Sequence, residues 1–157
     1  MKIAIAGFSF FSLLNEGKID IFHYLETLKY RYHLNTVDLW NGLITKQNGI
    51  LRQLPDVDYL KKIKGSIDEK EMTLVNFAID GAHIWDPDPN VRQKLHENAL
   101  DHLKAAKILG AKTVRIDTGG YESSEMSEEQ FDLTVKTYQE YCKVAEDYGF
   151  IIGPENH

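Results

Sequence analysis

One cysteine, Cys142, stands in 157 residues. No internal disulfide can form, and a reducing compartment, the cytoplasm, is the simple expectation. Basic residues are in deficit: 18 lysines and arginines face 24 aspartates and glutamates, for a formal charge of −6. That balance argues against a nucleic-acid partner, though not against a local basic pocket. Long apolar runs are lacking as well. "MKIAIAGFSFFSLL" at 1–14 begins like a signal peptide but is too short to span a bilayer, so no membrane partner is expected. Asn15, Glu16, Gly17 and Lys18 follow it, where a small-x-small cleavage pattern would stand. Its first part, "KIAIAG" at 2–7, is read instead as a buried strand ended by glycine. Neither a Pro/Gly/Ser-rich linker nor a low-complexity tract interrupts the chain, so 1–157 is read as one domain.

What is present is a regular alternation. Apolar strand-like runs at 2–7, 35–40, 72–80, 112–120 and 150–153 are separated by amphipathic stretches at 19–32, 56–70, 90–109 and 127–149. Ile19, Phe22, Leu25 and Leu28 stripe the first of these. Val91, Leu95, Ala99, Leu103, Ala106 and Leu109 stripe the third. Pro55 marks a helix start, Ser127 with Gln130 has capping-box spacing, and Gly110 is placed as a C-terminal cap. Strands alternating with helices imply parallel pairing through crossovers.

Two architectures fit, an open doubly wound sheet and a (β/α)₈ barrel. A dinucleotide fold would place G-x-G-x-x-G after the first strand. The chain has "GFSFFS" there, with a single glycine, and has no phosphate-loop pattern. Phe8, Trp40, His83, Trp85 and Asp117 fall at the strand ends, and such a set suits a barrel mouth. The expected fold class is therefore α/β of the TIM-barrel type, comprising the first four and a half β/α units.

Within that pattern, "LVNFAIDGAHIWDPDPNVRQKLHENALDHLKAAKILGAKTVRIDTGG" resembles the third and fourth units of the xylose-isomerase-like TIM barrels. That family includes sugar and sugar-phosphate isomerases, ketose 3-epimerases and metal-dependent AP endonucleases. Three features carry the likeness: an aspartate-bearing loop before Arg92, the passage "AAKILGAKTVRI", and a last strand ending in Glu155-Asn156. The resemblance implies that Glu155 is a divalent-metal ligand and a proton-transfer group. The metal would be Mn²⁺, Mg²⁺, Co²⁺ or Zn²⁺, and the substrate a sugar or sugar phosphate. The family completes its metal site with an aspartate, a histidine and a second glutamate from later strands, which this chain does not contain. A single carboxylate cannot hold a catalytic metal. The chain is therefore expected to be a truncated piece of a longer protein, to receive the missing half from a second copy or a partner half-barrel, or to stand as an open sheet with its edges covered in a homo-oligomer. An AP endonuclease-like phosphodiesterase and a non-catalytic half-barrel are the alternatives.

The remaining candidates are weighed individually. Phe8, Trp40, His83 and Trp85 are candidate substrate contacts, because aromatic faces suit the apolar face of a sugar ring; Trp40 is alternatively core, and His83 and Trp85 alternatively a loop pair folded onto the rim. Asp117 either binds substrate hydroxyls or closes an Asx turn, and His157 is a further substrate candidate. Asp86 and Asp88 are expected to shape the turn before the third helix, and Arg115 to point outward or bridge to an acid. His96 and His102, six residues apart, make no helical metal pair and are expected in solvent. Cys142 is expected to be a small buried hydrophobe, and Tyr138, Tyr141 and Tyr148 to pack.

Overall fold

The computed structural model describes residues 3–119 and 125–155. A 3₁₀ turn at Gly7–Phe10 leads into helix α1 (Phe11–Asn15) and then α2 (Ile21–Glu26). Strand β1 (Thr36–Trp40) is followed by a hairpin, β2 (Lys46–Asn48) and β3 (Leu51–Gln53). Helix α3 (Val57–Glu69), strand β4 (Thr73–Ile79), helix α4 (Pro89–Leu109) and strand β5 (Thr113–Asp117) come next. Helix α5 (Glu128–Tyr148) and strand β6 (Ile151–Glu155) complete the series.

The main sheet runs β1-β4-β5-β6 and every pairing in it is parallel. Side chains alternate across a strand, so each strand serves two faces. Val37, Leu39, Leu74, Phe77, Ile79, Val114, Ile116 and Ile152 are buried in one core with Leu60, Ile63, Leu103, Ala106, Tyr141 and Ala145 of the helices. Among the intervening residues, Asp38, Asn76, Thr113, Arg115 and Asp117 are only partly buried, while Trp40 and Ala78 are buried. The partly buried ones form a polar face whose side chains bond across the strands. Asn76 donates to Asp38 Oδ1 at 2.6 Å, and the Thr113 hydroxyl lies 3.1 Å from Asn76 Oδ1.

Helix ends follow local chemistry. Asp56, Asp88 and Ser127 each accept a backbone N–H of the first turn, and Ser127 forms the full capping box with Gln130. Asp86 also accepts from the Asp88 N–H at 2.9 Å, so the two aspartates shape the turn before α4. Gly110 closes α4 with φ +73°, a left-handed conformation that suits glycine.

Four local expectations need correction. The strand expected over 2–7 begins outside the described residues, and 3–7 do not form a paired strand; among the described residues a single parallel bridge, Ala6 to Asp38, marks the place, and Ile3 is 57% exposed. The chain turns away at Gly7, where a Cβ would stand 2.9 Å from the Trp40 nitrogen. Side chains hold this segment instead. Tyr24 Oη lies 2.7 Å from Ile5 O and 2.9 Å from Asp38 O, and Thr36 donates to Ile3 O. Second, the helix expected over 19–32 is α only to Glu26; Thr27–Arg31 widens into a π turn that keeps Leu28 buried. Third, His102 is fully buried and His96 is half-buried, stacked on Tyr141 at 5.5 Å. Fourth, Cys142 is exposed on α5.

Tyr24 ties the first segment to the sheet, and its hydroxyl, pushed up in pKa chiefly by burial, stays a donor. Tyr24→Phe leaves two part-buried carbonyls without this donor, so it should cost about 1 kcal/mol in urea unfolding. Amide exchange at Ala6 should rise while exchange in β5 does not.

Candidate functional site

The C-terminal tips of the parallel strands meet at one end. Trp40 closes β1, 3% exposed, and its Nε1–H donates to Asp80 Oδ2 at 2.5 Å. Phe8 packs edge-on to the indole at 5.1 Å and Phe11 at 5.8 Å, while the two phenyl rings stack at 5.5 Å. Phe8 remains 54% exposed and Phe11 41%, so this aromatic corner faces solvent. Arg52 of β3 lies over the other part of the corner, 5.0 Å from the indole centroid and 4.0 Å from Asp80 Oδ2.

Asp80 is fixed from below by a buried polar network. Asn41, 0% exposed, accepts the Asp80 N–H at 3.1 Å and donates to the Asp80 carbonyl at 2.9 Å. Its Nδ2 also lies 3.2 Å from His102 Nε2, and His102 Nδ1 lies 2.8 Å from the Asn98 carbonyl. A carbonyl can only accept, so the bonding assigns the hydrogen of neutral His102 to Nδ1 and leaves Nε2 to accept from Asn41. Burial pushes the His102 pKa below its ordinary value, in keeping with that neutral form. Asn98 Nδ2 donates to Gly81 O at 2.8 Å.

Across the sheet, Asp117 pairs in register with Glu155, and Ile79 with Ile116. Asp80 follows Ile79, so the tips of three adjacent strands carry a row of carboxylates: Asp80, Asp117 and Glu155. Asp117 Oδ1 accepts the Gly119 N–H at 2.6 Å, which is the Asx turn. Arg115, two residues below on the same face, donates to Glu155, whose side chain is 18% exposed. Arg115 thus bridges to an acid.

His83 and Trp85 sit on the loop after β4, against Gly119 rather than against the aromatic corner. Trp85 forms a parallel bridge with Gly119, and its N–H donates to Thr118 O at 2.8 Å. Gly119 has φ +75°, and a Cβ there would stand 2.4 Å from Trp85 O, so only glycine allows this approach. Arg92 of α4 covers the Trp85 ring at 4.8 Å. His83 lies 4.0 Å from Asp86 and lines a cleft between α4 and α5 with Arg92, His96 and Glu140. His157, like Asn156, lies outside the described residues.

Sequence reading missed Asn41, Arg52, Asp80, Asn98 and the role of His102. A signal for Asp80 was present: "FAID" at 77–80 and "VRID" at 114–117 share one pattern, each ending on a carboxylate. For a metal, the test is the donor set. Among the described residues, no group of three or more His, Cys, Asp or Glu side chains could hold an ion, and Glu155 is engaged by Arg115. Three or four ligands are the usual requirement, so these residues alone do not fit a catalytic metal.

The profile of the xylose isomerase-like TIM barrel family matches residues 36–157. No curated protein matches the chain in sequence. Among solved structures, it is similar to 3-keto-D-glucoside 4-epimerase from E. coli, with TM-score 0.64 and 13% identity, over 86% of this chain and 50% of that one. D-psicose 3-epimerase from Clostridium cellulolyticum, in a structure with D-tagatose, gives TM-score 0.64 and 16% identity over 85% of this chain and 46% of that one. A sugar phosphate isomerase/epimerase from Parabacteroides distasonis gives 0.67 and 12% over 99% and 51%. The chain spans about half the length of these structures. The shared feature is the fold: an α/β parallel sheet corresponding to part of a TIM barrel.

The lowered His102 pKa fixes a pH dependence. The unfolded state binds more protons below its pKa of about 6.5, so stability is full above that pH and falls as pH drops toward the folded value. Urea midpoints should therefore decline between pH 7.5 and 5, and the decline should shrink in His102→Gln.

Proposed function

The chain belongs to the xylose isomerase-like TIM barrel family, and from that premise we propose that it forms the first half of a sugar isomerase or epimerase site. The observation that carries this reading is the row Asp80, Asp117 and Glu155 beside the Phe8–Phe11–Trp40 corner, all at the C-terminal strand tips. Functional groups of barrels gather at that end. Aromatic rings receive the apolar face of a pyranose or open-chain sugar, and carboxylates accept its hydroxyls.

Isomerisation or epimerisation moves a proton on carbon next to a carbonyl. In this reading Glu155 is the proton-transfer group, with Arg115 holding its carboxylate in place. Phe8, packed on the buried Trp40, orients the sugar, Asp117 takes a hydroxyl, and His83 and Trp85 are further contacts at the rim. Were further ligands present, Glu155 would help hold a divalent cation, Mn²⁺, Mg²⁺, Co²⁺ or Zn²⁺, which would supply Lewis-acid chemistry at the substrate oxygen. Such ligands would have to be supplied by a longer chain, a second copy or a partner half-barrel. Support for such a neighbour is the edge at β6. Ile151 is 71% exposed there, and Phe131, Val135, Tyr138 and Pro154 line an apolar groove beside it.

Calorimetric titration of the chain with D-psicose and D-fructose tests the reading. Saturable binding at millimolar concentrations is expected. Phe8→Ala should weaken it by about tenfold, roughly 1.4 kcal/mol. No binding to either ketose, or binding indifferent to Phe8→Ala, would contradict it.

A further inference from the structure

We infer that Asp80 is a second hydroxyl-binding carboxylate of the mouth, beside Asp117, and that Asn41 and His102 are the positioning residues that hold it there. The ligand in this inference rests on the sugar-binding reading above; the positioning does not. The hydrogen count is complete. Asn41 has two amide hydrogens and one carbonyl oxygen, and all three are used: on Asp80 O, His102 Nε2 and the Asp80 N–H. His102 uses its other nitrogen on Asn98 O, and Phe77 stacks against the ring at 6.3 Å. Asn98 in turn bonds Gly81 O.

The next residue is held from the opposite side. Gly81 has φ +71°, and a Cβ there would stand 2.9 Å from Ile50 O and 3.0 Å from the Arg52 nitrogen. The turn of the β2–β3 hairpin is therefore seated on the backbone directly after Asp80. The carboxylate itself is anchored at one oxygen by Trp40 Nε1 and approached by Arg52, yet its side chain stays 45% exposed. A buried Asn–His pair is costly unless every polar atom is satisfied; here two of the Asn41 bonds hold the Asp80 backbone, and His102 fixes Asn41 and is itself tied to Asn98, whose side chain holds Gly81. A solvated carboxylate at a strand end needs no such support for stability. A carboxylate that must meet a ligand in one geometry does.

The test joins two readouts on the full chain: calorimetric affinity for D-psicose, and ¹H–¹⁵N spectra of the Asp80 amide and the Trp40 indole N–H. Asp80→Asn should cut affinity at least tenfold while the indole N–H keeps its bonded shift, because the amide oxygen still accepts. Asn41→Ala should also cut affinity and move both resonances, with β6 amides unmoved. His102→Gln carries the same readout should Asn41→Ala fail to fold, and is expected to lose less affinity than His102→Leu. Wild-type binding that Asp80→Asn leaves intact overturns the inference while the sugar-binding reading stands. Unmoved Asp80 and Trp40 resonances in Asn41→Ala overturn the positioning role. A wild type that binds no sugar overturns the sugar-binding reading and the ligand assigned to Asp80, while moved resonances would still support the positioning.

Discussion

The structure depends on one constraint: in a strand, neighbouring side chains point to opposite faces. Each parallel strand here spends one set, Val37 and Leu39, Phe77 and Ile79, Val114 and Ile116, on the core under the helices. The other set is left to bond sideways. Asp38, Asn76 and Thr113 link the strands halfway up. Above them Trp40 meets Asp80, and Arg115 meets Glu155. Because all main-sheet strands run the same way, their last residues share one end. Chemistry at that end is a consequence of pairing register, not of any single motif.

Much of this was legible from periodicity. The strands at 35–40, 72–80 and 112–120 and the helices at 56–70, 90–109 and 127–149 are read from apolar spacing, caps and glycines, which are local signals. The apolar run at 3–7 suits a strand, and equally a chain held by side chains at a sheet edge, which is what it is. Tyr24 and Thr36, distant in sequence, do that holding. The hairpin at 46–53 was passed over. It is short and mostly exposed, so it has little hydrophobic pattern. Its turn carries the useful sign, Gly49 at φ +62°.

The site was half legible. Aromatic residues and acids at strand ends could be listed from position alone. Their grouping could not, since it needs register: Asp117 beside Glu155, and Asp80 one strand further across. His102 shows the limit most clearly. Counting helical spacing placed it in solvent, whereas a partner 61 residues away, Asn41, makes its burial tolerable. The apolar groove beside β6 belongs to the same logic. β6 is the last strand of the main sheet, so its outer side has no strand partner among the described residues.

The central claim is that the strand tips form one sugar-binding mouth. The most direct measurement is the map of amide and indole shift changes when labelled chain is titrated with D-psicose. The account predicts changes centred on Phe8, Trp40, Asp80, Asp117 and Glu155, saturating together. Changes confined to the cleft between α4 and α5, or to the opposite end of the sheet, would contradict it.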